Sequence, residues 1–257
     1  MATNDGNISA TALKALSVLD FFGDHKRPLS VQEVAQGIGA DRATTYRMLM
    51  TLIQSGYLTR DATSRSYRLS LKVLSLARHV VSDDERAAQI LSGLRQISDE
   101  SGETVHYSAL EGDQVVLVFR AKGTQRVSVD FQIGDRSALH CTSIGKVLLA
   151  YADPRLVETV VAKGLEKMGP KTITDPDVLR RELTQIRAQR YALDDLEFAA
   201  DMRCLALPVF ENGGFVPGGV AISGPASRMT IAQLQTLRKI AVPHVIELSR
   251  KLGGAVE

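Results

Sequence analysis

Between Ser30 and Gly56 the chain carries two helix starts separated by a glycine-bearing turn, and this restricts its fold more than any other stretch. Ser30-Val-Gln-Glu33 is a capping box, in which the hydroxyl and the carboxylate satisfy backbone donors at a helix start. A short helix is expected through Val34, Ala35 and Ile38, and Gly37 with Gly39 permits a tight turn. Asp41 is a good N-cap for a second helix, running to about Ser55 with Gly56 at its end. Upstream, Leu13, Leu16, Leu19 and Phe22 recur at helical spacing from Ile8 until Gly23. Downstream, Tyr57-Leu-Thr59 and Tyr67-Arg-Leu69 flank the polar turn Asp61-Ala-Thr-Ser64, as in a hairpin. Three helices and a hairpin in this order make a winged helix-turn-helix.

On a helical wheel of the segment after Asp41, Tyr46, Leu49 and Ile53 form an inward face. Thr44, Arg47, Met48 and Thr51 point outward. In the major groove an Arg can hold guanine through two acceptors, and a Thr can offer its hydroxyl or methyl. Arg47, Thr44, Thr45 and Thr51 are therefore the candidates for contacts from this helix. Arg42 at the helix start, with Arg65 and Arg68 on the hairpin, suits phosphate. Charge agrees: residues 1–75 hold nine Lys/Arg against six Asp/Glu, and residues 76–257 hold twenty-two against twenty-three. A local basic excess suits a polyanion, here double-stranded DNA, although a solvated surface has the same composition.

A chain of 257 residues can bury two cores. Two cysteines, no basic-apolar leader at Met1–Gly6 and no long apolar run point to a reducing cytoplasm and no membrane partner. Leu71 to Arg78 and the stretch holding Ile90, Leu91, Leu94 and Ile97 are amphipathic and helical, as in helices that join domains and pair between subunits. Strands are expected at Thr104–Leu110, Val115–Phe119, Val127–Phe131, Cys204–Phe210 and Phe215–Ser223, with Asn212-Gly-Gly214 as a turn. Helices are expected after Thr142, from Asp175 to about Gln189, and from Thr230 to Leu252. The fold class is α+β, with boundaries at 1–73 for the winged helix-turn-helix, 74–89 for a linker helix and 90–257 for the remainder.

Leu29-Ser-Val-Gln-Glu-Val-Ala35, Arg42-Ala-Thr-Thr-Tyr-Arg-Met-Leu49 and Gly56-Tyr-Leu58 resemble the IclR family of bacterial transcription regulators. So do Ser101-Gly-Glu-Thr-Val-His106, Leu139-His-Cys-Thr-Ser-Ile-Gly-Lys146, Thr172-Ile-Thr-Asp175, Asp195-Leu-Glu197, Arg203-Cys-Leu-Ala206 and Ser223-Gly-Pro225. The resemblance implies a GAF-like C-terminal domain that binds a small effector at positions matching Ser143, Ile144, Asp194, Cys204, Ala221 and Ser223. It also implies dimers, often paired as tetramers, on a pseudo-palindromic operator. The sequence departs from the family pattern at Ile144, which is bulky, and at Ala221, which lacks a hydroxyl. Asp201 and Arg190 replace glycines, and Ala138 replaces a proline.

The residues suggest what such a pocket would take. Thr142-Ser-Ile-Gly145 opens a helix whose free N–H groups suit a carboxylate. Asp194, placed in the loop after the long helix, would accept a hydrogen bond from an effector hydroxyl, and Leu139, Ile144, Met202 and Ala221 would supply apolar wall. A small carboxylate, aromatic or short aliphatic, fits best, with no cofactor. Two rivals remain: a metal sensor using His140, Cys141 and Cys204, and a Cys-dependent hydrolase in which His140 activates Cys141 or Cys204. The first lacks a zinc spacing, and the second lacks a third orienting residue. Cys204 between leucines also reads as a small core residue, and His106 as an ordinary strand residue.

Overall fold

In a computed structural model, described over residues 8–81 and 84–255, the chain divides into two compact units, Met1–Ser82 and Asp83–Glu257. The first unit begins with helix α1 (Ala10–Gly23), capped by Ser9, followed by α2 (Val31–Gly37) and α3 (Arg42–Gln54). The capping box forms as the sequence dictates: Glu33 N donates to Ser30 Oγ, and Ser30 N donates to Glu33 Oε2 at 2.8 Å. Gly37 allows α1 and α2 to approach closely, since a Cβ there would collide with the Phe21 ring. Gly39 takes a left-handed φ of +63° in the turn before Asp41, which caps α3 by accepting from Thr44 N at 2.8 Å. Strands β1 (Leu58–Arg60) and β2 (Tyr67–Leu69) pair antiparallel as the wing. Val18, Phe22, Leu29, Val34, Leu49, Leu52, Leu58 and Tyr67 are buried together beneath them.

The recognition-helix wheel needs correcting by one residue. The buried stripe of α3 is Thr45, Met48, Leu49 and Leu52, at spacing i, i+3, i+4, i+7. Tyr46, expected inside, is 43% exposed, and Met48, expected outside, is 7% exposed.

Helices α4 (Lys72–Val81) and α5 (Asp84–Ser101) follow, so the linker expected over 74–89 covers parts of two helices. Residues 82 and 83 of that linker lie outside the described residues.

The second unit is a six-stranded sheet of order β5-β4-β3-β8-β7-β6, antiparallel throughout. Its strands are β3 (Thr104–Glu111), β4 (Gln114–Ala121), β5 (Arg136–Ala138), β6 (Ala192–Asp195), β7 (Met202–Val209) and β8 (Gly218–Pro225). Alternation along β7 and β8 divides the core. Leu205, Leu207, Val209, Val220 and Ile222 face α5 and the last helix, α9 (Ile231–Lys251). Ala206 and Ala221 face α6 (Ser143–Tyr151) and α8 (Pro176–Gln189) instead. Thr142, Asp175 and Thr230 cap α6, α8 and α9 with their side chains, as expected.

Three elements differ from the sequence reading. Val127–Phe131 forms no strand; the edge beside β4 is taken by β5, where Gln114 pairs with Ala138. Helix α7 (Pro154–Lys163) was not anticipated. Asp194 lies on strand β6, opposite Cys204, and not in a loop.

Candidate functional site

Two surfaces carry chemistry, one in each unit. On the first, Arg42, Arg47, Thr51, Arg65 and Arg68 are all exposed and Thr44 is half-buried. Arg47 Nη2 donates to Thr44 Oγ1 at 3.3 Å, so the two residues proposed for base contact lie side by side on one helical turn. Arg68 Nε reaches Thr59 Oγ1 across the wing at 3.4 Å, and Arg65 occupies the wing turn with φ 53°. Thr45 does not belong to this surface. It is fully buried, and its hydroxyl donates to the Asp41 carbonyl at 2.9 Å. Sequence reasoning missed Tyr46 and Arg60, which border one concave groove with Arg42 and Arg65. The signal for Tyr46 was present in the helical phase, once Thr45 is taken as core.

The second surface is a cavity of about 290 Å³ beneath the start of α6. Strand register builds its floor: Asp194 on β6 opposes Cys204 on β7, which opposes Ser223 on β8. Three residues far apart in sequence thus form one row across the sheet. The amide end of α6 stands over this row. Thr142 Oγ1 caps the Gly145 N–H at 3.0 Å, and Ser143 and Ile144 of the first turn, where backbone amides lack helical partners, line the cavity. Position 145 must be glycine, because a Cβ would lie 2.6 Å from both the Leu139 carbonyl oxygen and Thr142 Oγ1. Six of the eight expected residues line this cavity: Ser143, Ile144, Asp194, Met202, Cys204 and Ser223. Leu139 and Ala221 do not; they are buried in the core that supports α6.

The remaining wall was not legible. His106 and Phe131 make an edge-on ring contact at 5.8 Å, and Phe131 meets Phe198 at 6.3 Å. All three rings line the cavity, with Val115 and Leu117 from β4 and Arg136 at the edge strand. Arg136 is already engaged by Glu111 and Gln114.

Asp194 is the electrostatic centre. It is completely buried, and Oδ1 accepts from the amides of Glu197 at 2.8 Å and Phe198 at 3.3 Å. Those bonds hold a tight turn in which Leu196 has φ 64°, a left-handed conformation that costs a non-glycine residue about 1–3 kcal/mol. Thr172 Oγ1 donates to the Glu197 carbonyl at 2.5 Å, and Lys146 Nζ of α6 meets Glu197 Oε1 at 2.6 Å, fixing the same turn. Asp194 Oδ2 is buried and has no hydrogen-bond partner, and the buried Ser223 Oγ has none beyond the neighbouring Cys204 thiol. Burial pushes the Asp194 carboxyl up to about 6, against the two amide bonds and Lys146, which favour ionisation. Burial holds His106 down at about 4, aided by Arg120, so its ring is neutral at pH 7.

Neither rival gains support from this geometry. Among the described residues no three His, Cys, Asp or Glu side chains are grouped to hold a metal, and His140 Nε2 is hydrogen-bonded to the Glu166 carbonyl at 2.9 Å. Burial raises the Cys204 thiol well above its ordinary value and Cys141 to about 12, which disfavours the thiolate a nucleophile needs.

A winged helix-turn-helix with an arginine-lined outer face, in one chain with a sheet domain whose cavity has apolar walls and a polar floor, describes a DNA-binding regulator. The IclR helix-turn-helix domain matches residues 11–62, and the domain described as bacterial transcriptional regulator IclR C-terminal matches residues 79–250. The chain is 32% identical to the transcriptional regulator BhcR of Paracoccus denitrificans over 252 residues, covering 96% of this chain and 88% of that protein. It is 31% identical to KdgR of Escherichia coli over 246 residues, covering 95% and 93%. The crystal structure of Thermotoga maritima IclR superposes with a TM-score of 0.78 at 28% identity, covering 95% of this chain and 98% of that one. The chain belongs to the IclR family of DNA-binding transcription regulators.

Proposed function

We propose that this regulator binds a pseudo-palindromic operator as a homodimer or homotetramer, and that a small carboxylate in the α6 cavity alters that binding to control a catabolic operon. The carrying observation is the buried, unpartnered Asp194 Oδ2 on a residue that lines the cavity beside Ser223. Leaving a buried polar atom unpaired costs about 1–3 kcal/mol, which a ligand hydroxyl would recover. The amides of Ser143 and Ile144 suit the ligand's carboxylate. Since Asp194 repels an anion, the acid and the hydroxyl must sit at opposite ends of the ligand. Phe131, Phe198, Ile144 and Met202 favour an aromatic or short aliphatic body between them.

In this reading residues 1–73 hold DNA, 74–89 link, and 90–257 sense the ligand. Arg47 and Thr44 read bases, Thr51 lies on the same face, and Arg42, Arg65 and Arg68 hold phosphate. Oligomerisation is supported by apolar side chains left exposed within the first unit, Leu13, Leu16, Leu71 and Leu74 among them.

Calorimetry with aromatic hydroxy acids, keto acids and the amide of each tests the ligand class. An acid should bind at least about tenfold more tightly than its amide. Equal affinities would eliminate the carboxylate site, and binding unaffected by both Asp194→Ala and Cys204→Ala would place the ligand elsewhere.

A further inference from the structure

A second cavity, of about 270 Å³, shares no lining residue with the first. It lies between the end of α8, the last residues of β7 and the middle of α9. Strand lengths create it. β6 begins at Ala192 opposite Ala206, so Leu207–Val209 run beyond the end of the edge strand. Pro208 in that stretch offers no N–H, which discourages another strand from pairing there. Arg190 ends α8 in a left-handed conformation, φ 60°, and turns the chain into β6.

The lining is chemically one-sided. Leu207, Val242, Val245 and Ile246 form an apolar wall, Arg190 and Arg238 border it, and no carboxylate does. Each guanidinium lies over an aromatic ring: Arg238 is 4.6 Å from the Tyr191 centroid, and Arg190 is 5.9 Å from that of Phe210. Such stacking fixes the orientation of the planar fork. Arg238 Nε is buried and has no hydrogen-bond partner. The Ser249 hydroxyl, by contrast, is used, donating to the Val245 carbonyl and accepting from Phe210 N.

We propose that this cavity is a second ligand site, separate from the α6 cavity, for a small apolar monocarboxylate. The ligand's carboxylate accepts from the Arg238 guanidinium, and its hydrocarbon body lies on the wall of Leu207, Val242, Val245 and Ile246. Charge complementarity selects an anion. The shortage of further free polar groups disfavours a sugar or a polyphosphate, whose hydroxyls or extra oxygens would be buried unpaired.

Methyl NMR of the full chain, labelled at Ile, Leu and Val, tests this with octanoate and octanamide as probes. Val242, Val245 and Ile246 report this cavity, while Ile144 and Leu117 report the other, so failure of one site is distinguishable from failure of the other. Octanoate should shift the first group saturably, with octanamide at least about tenfold weaker. Arg238→Met should weaken octanoate at the first group at least about tenfold, and Val242→Phe, which fills the cavity while keeping the guanidinium, should abolish those shifts. The proposal is overturned if octanoate moves only Ile144 and Leu117 or moves neither group. It is equally overturned if the amide binds as well as the acid, or if octanoate still binds after Val242→Phe. Shifts at Val242 and Ile246 that follow protein concentration and ignore octanoate would make the cavity a contact between copies.

Discussion

Replacing Asp194 by Asn should remove a pH-dependent stability penalty that the native cavity carries. The wild-type carboxyl is raised from 3.8 to about 6 by burial. Between those pH values the folded chain keeps a proton that the unfolded chain has lost, so folding stability falls as pH rises through this window. The loss amounts to about 3 kcal/mol by pH 7, and the slope vanishes above the folded value. His106 works in the opposite direction. Its folded value near 4 lies below 6.5, so its contribution to stability grows between pH 4 and 6.5. Because His106 is common to both proteins, the difference between wild type and Asp194→Asn reports the Asp194 carboxylate together with its effect on Glu197, which is raised to about 7 chiefly by burial and in part by Asp194. Asn keeps an oxygen for the amides of Glu197 and Phe198, so the Leu196 turn should persist. Urea unfolding followed by circular dichroism at pH 4, 5, 6 and 7 should show wild type losing about 2 kcal/mol relative to the variant across the series. The variant should also bind the effector about five- to 150-fold more weakly, because it presents a donor where Oδ2 accepts. A stability difference that does not change with pH would refute the reasoning about burial. A gain in stability with unchanged ligand binding would refute the claim that the carboxylate is there for the ligand.

Arg47→Ala should cost about 1–3 kcal/mol on the cognate operator and relax sequence preference in a gel-shift series. Arg65→Ala should weaken specific and random duplexes about equally and reduce the slope of affinity against salt. Thr45→Val, which keeps the buried volume, should lower thermal stability while leaving operator discrimination unchanged; altered discrimination would return Thr45 to the DNA face. Light scattering should show a dimer or a larger assembly, and monomer alone, free and DNA-bound, would contradict the operator geometry.

Elements bounded by their own side chains were legible. Ser30, Asp41, Thr142, Asp175 and Thr230 each cap the helix that follows them, because capping is settled within four residues. The phase of α3 was harder. Thr45 and Tyr46 each begin a plausible inward stripe, and packing into the core shared with α1, α2 and the wing, not apolar count, chose the one containing the threonine. Strand β6 was hidden because Ala192-Leu-Asp-Asp195 carries two carboxylates. Asp195 is accommodated by Lys171 at 2.6 Å and Arg203 at 2.5 Å, neither of which is adjacent in sequence. Val127–Phe131 showed a strand composition but gained no partner, since β5 occupies the place beside β4. In the cavity, Asp194, Cys204 and Ser223 were named by resemblance but not their alignment in one row, while Phe131 and Phe198 arrive from segments that form neither helix nor strand.

The central claim couples the α6 cavity to DNA, and by linkage an effector must bind the free and operator-bound forms with different affinity. The direct measurement is fluorescence anisotropy of a duplex selected on the immobilised full chain, titrated with and without each hydroxy acid that calorimetry shows to bind. The account predicts an operator Kd moved by about five- to 150-fold by the acid. It predicts no movement by its amide, and none in Asp194→Asn at the same acid concentration. An acid that saturates the α6 cavity while the operator Kd stays constant would contradict it.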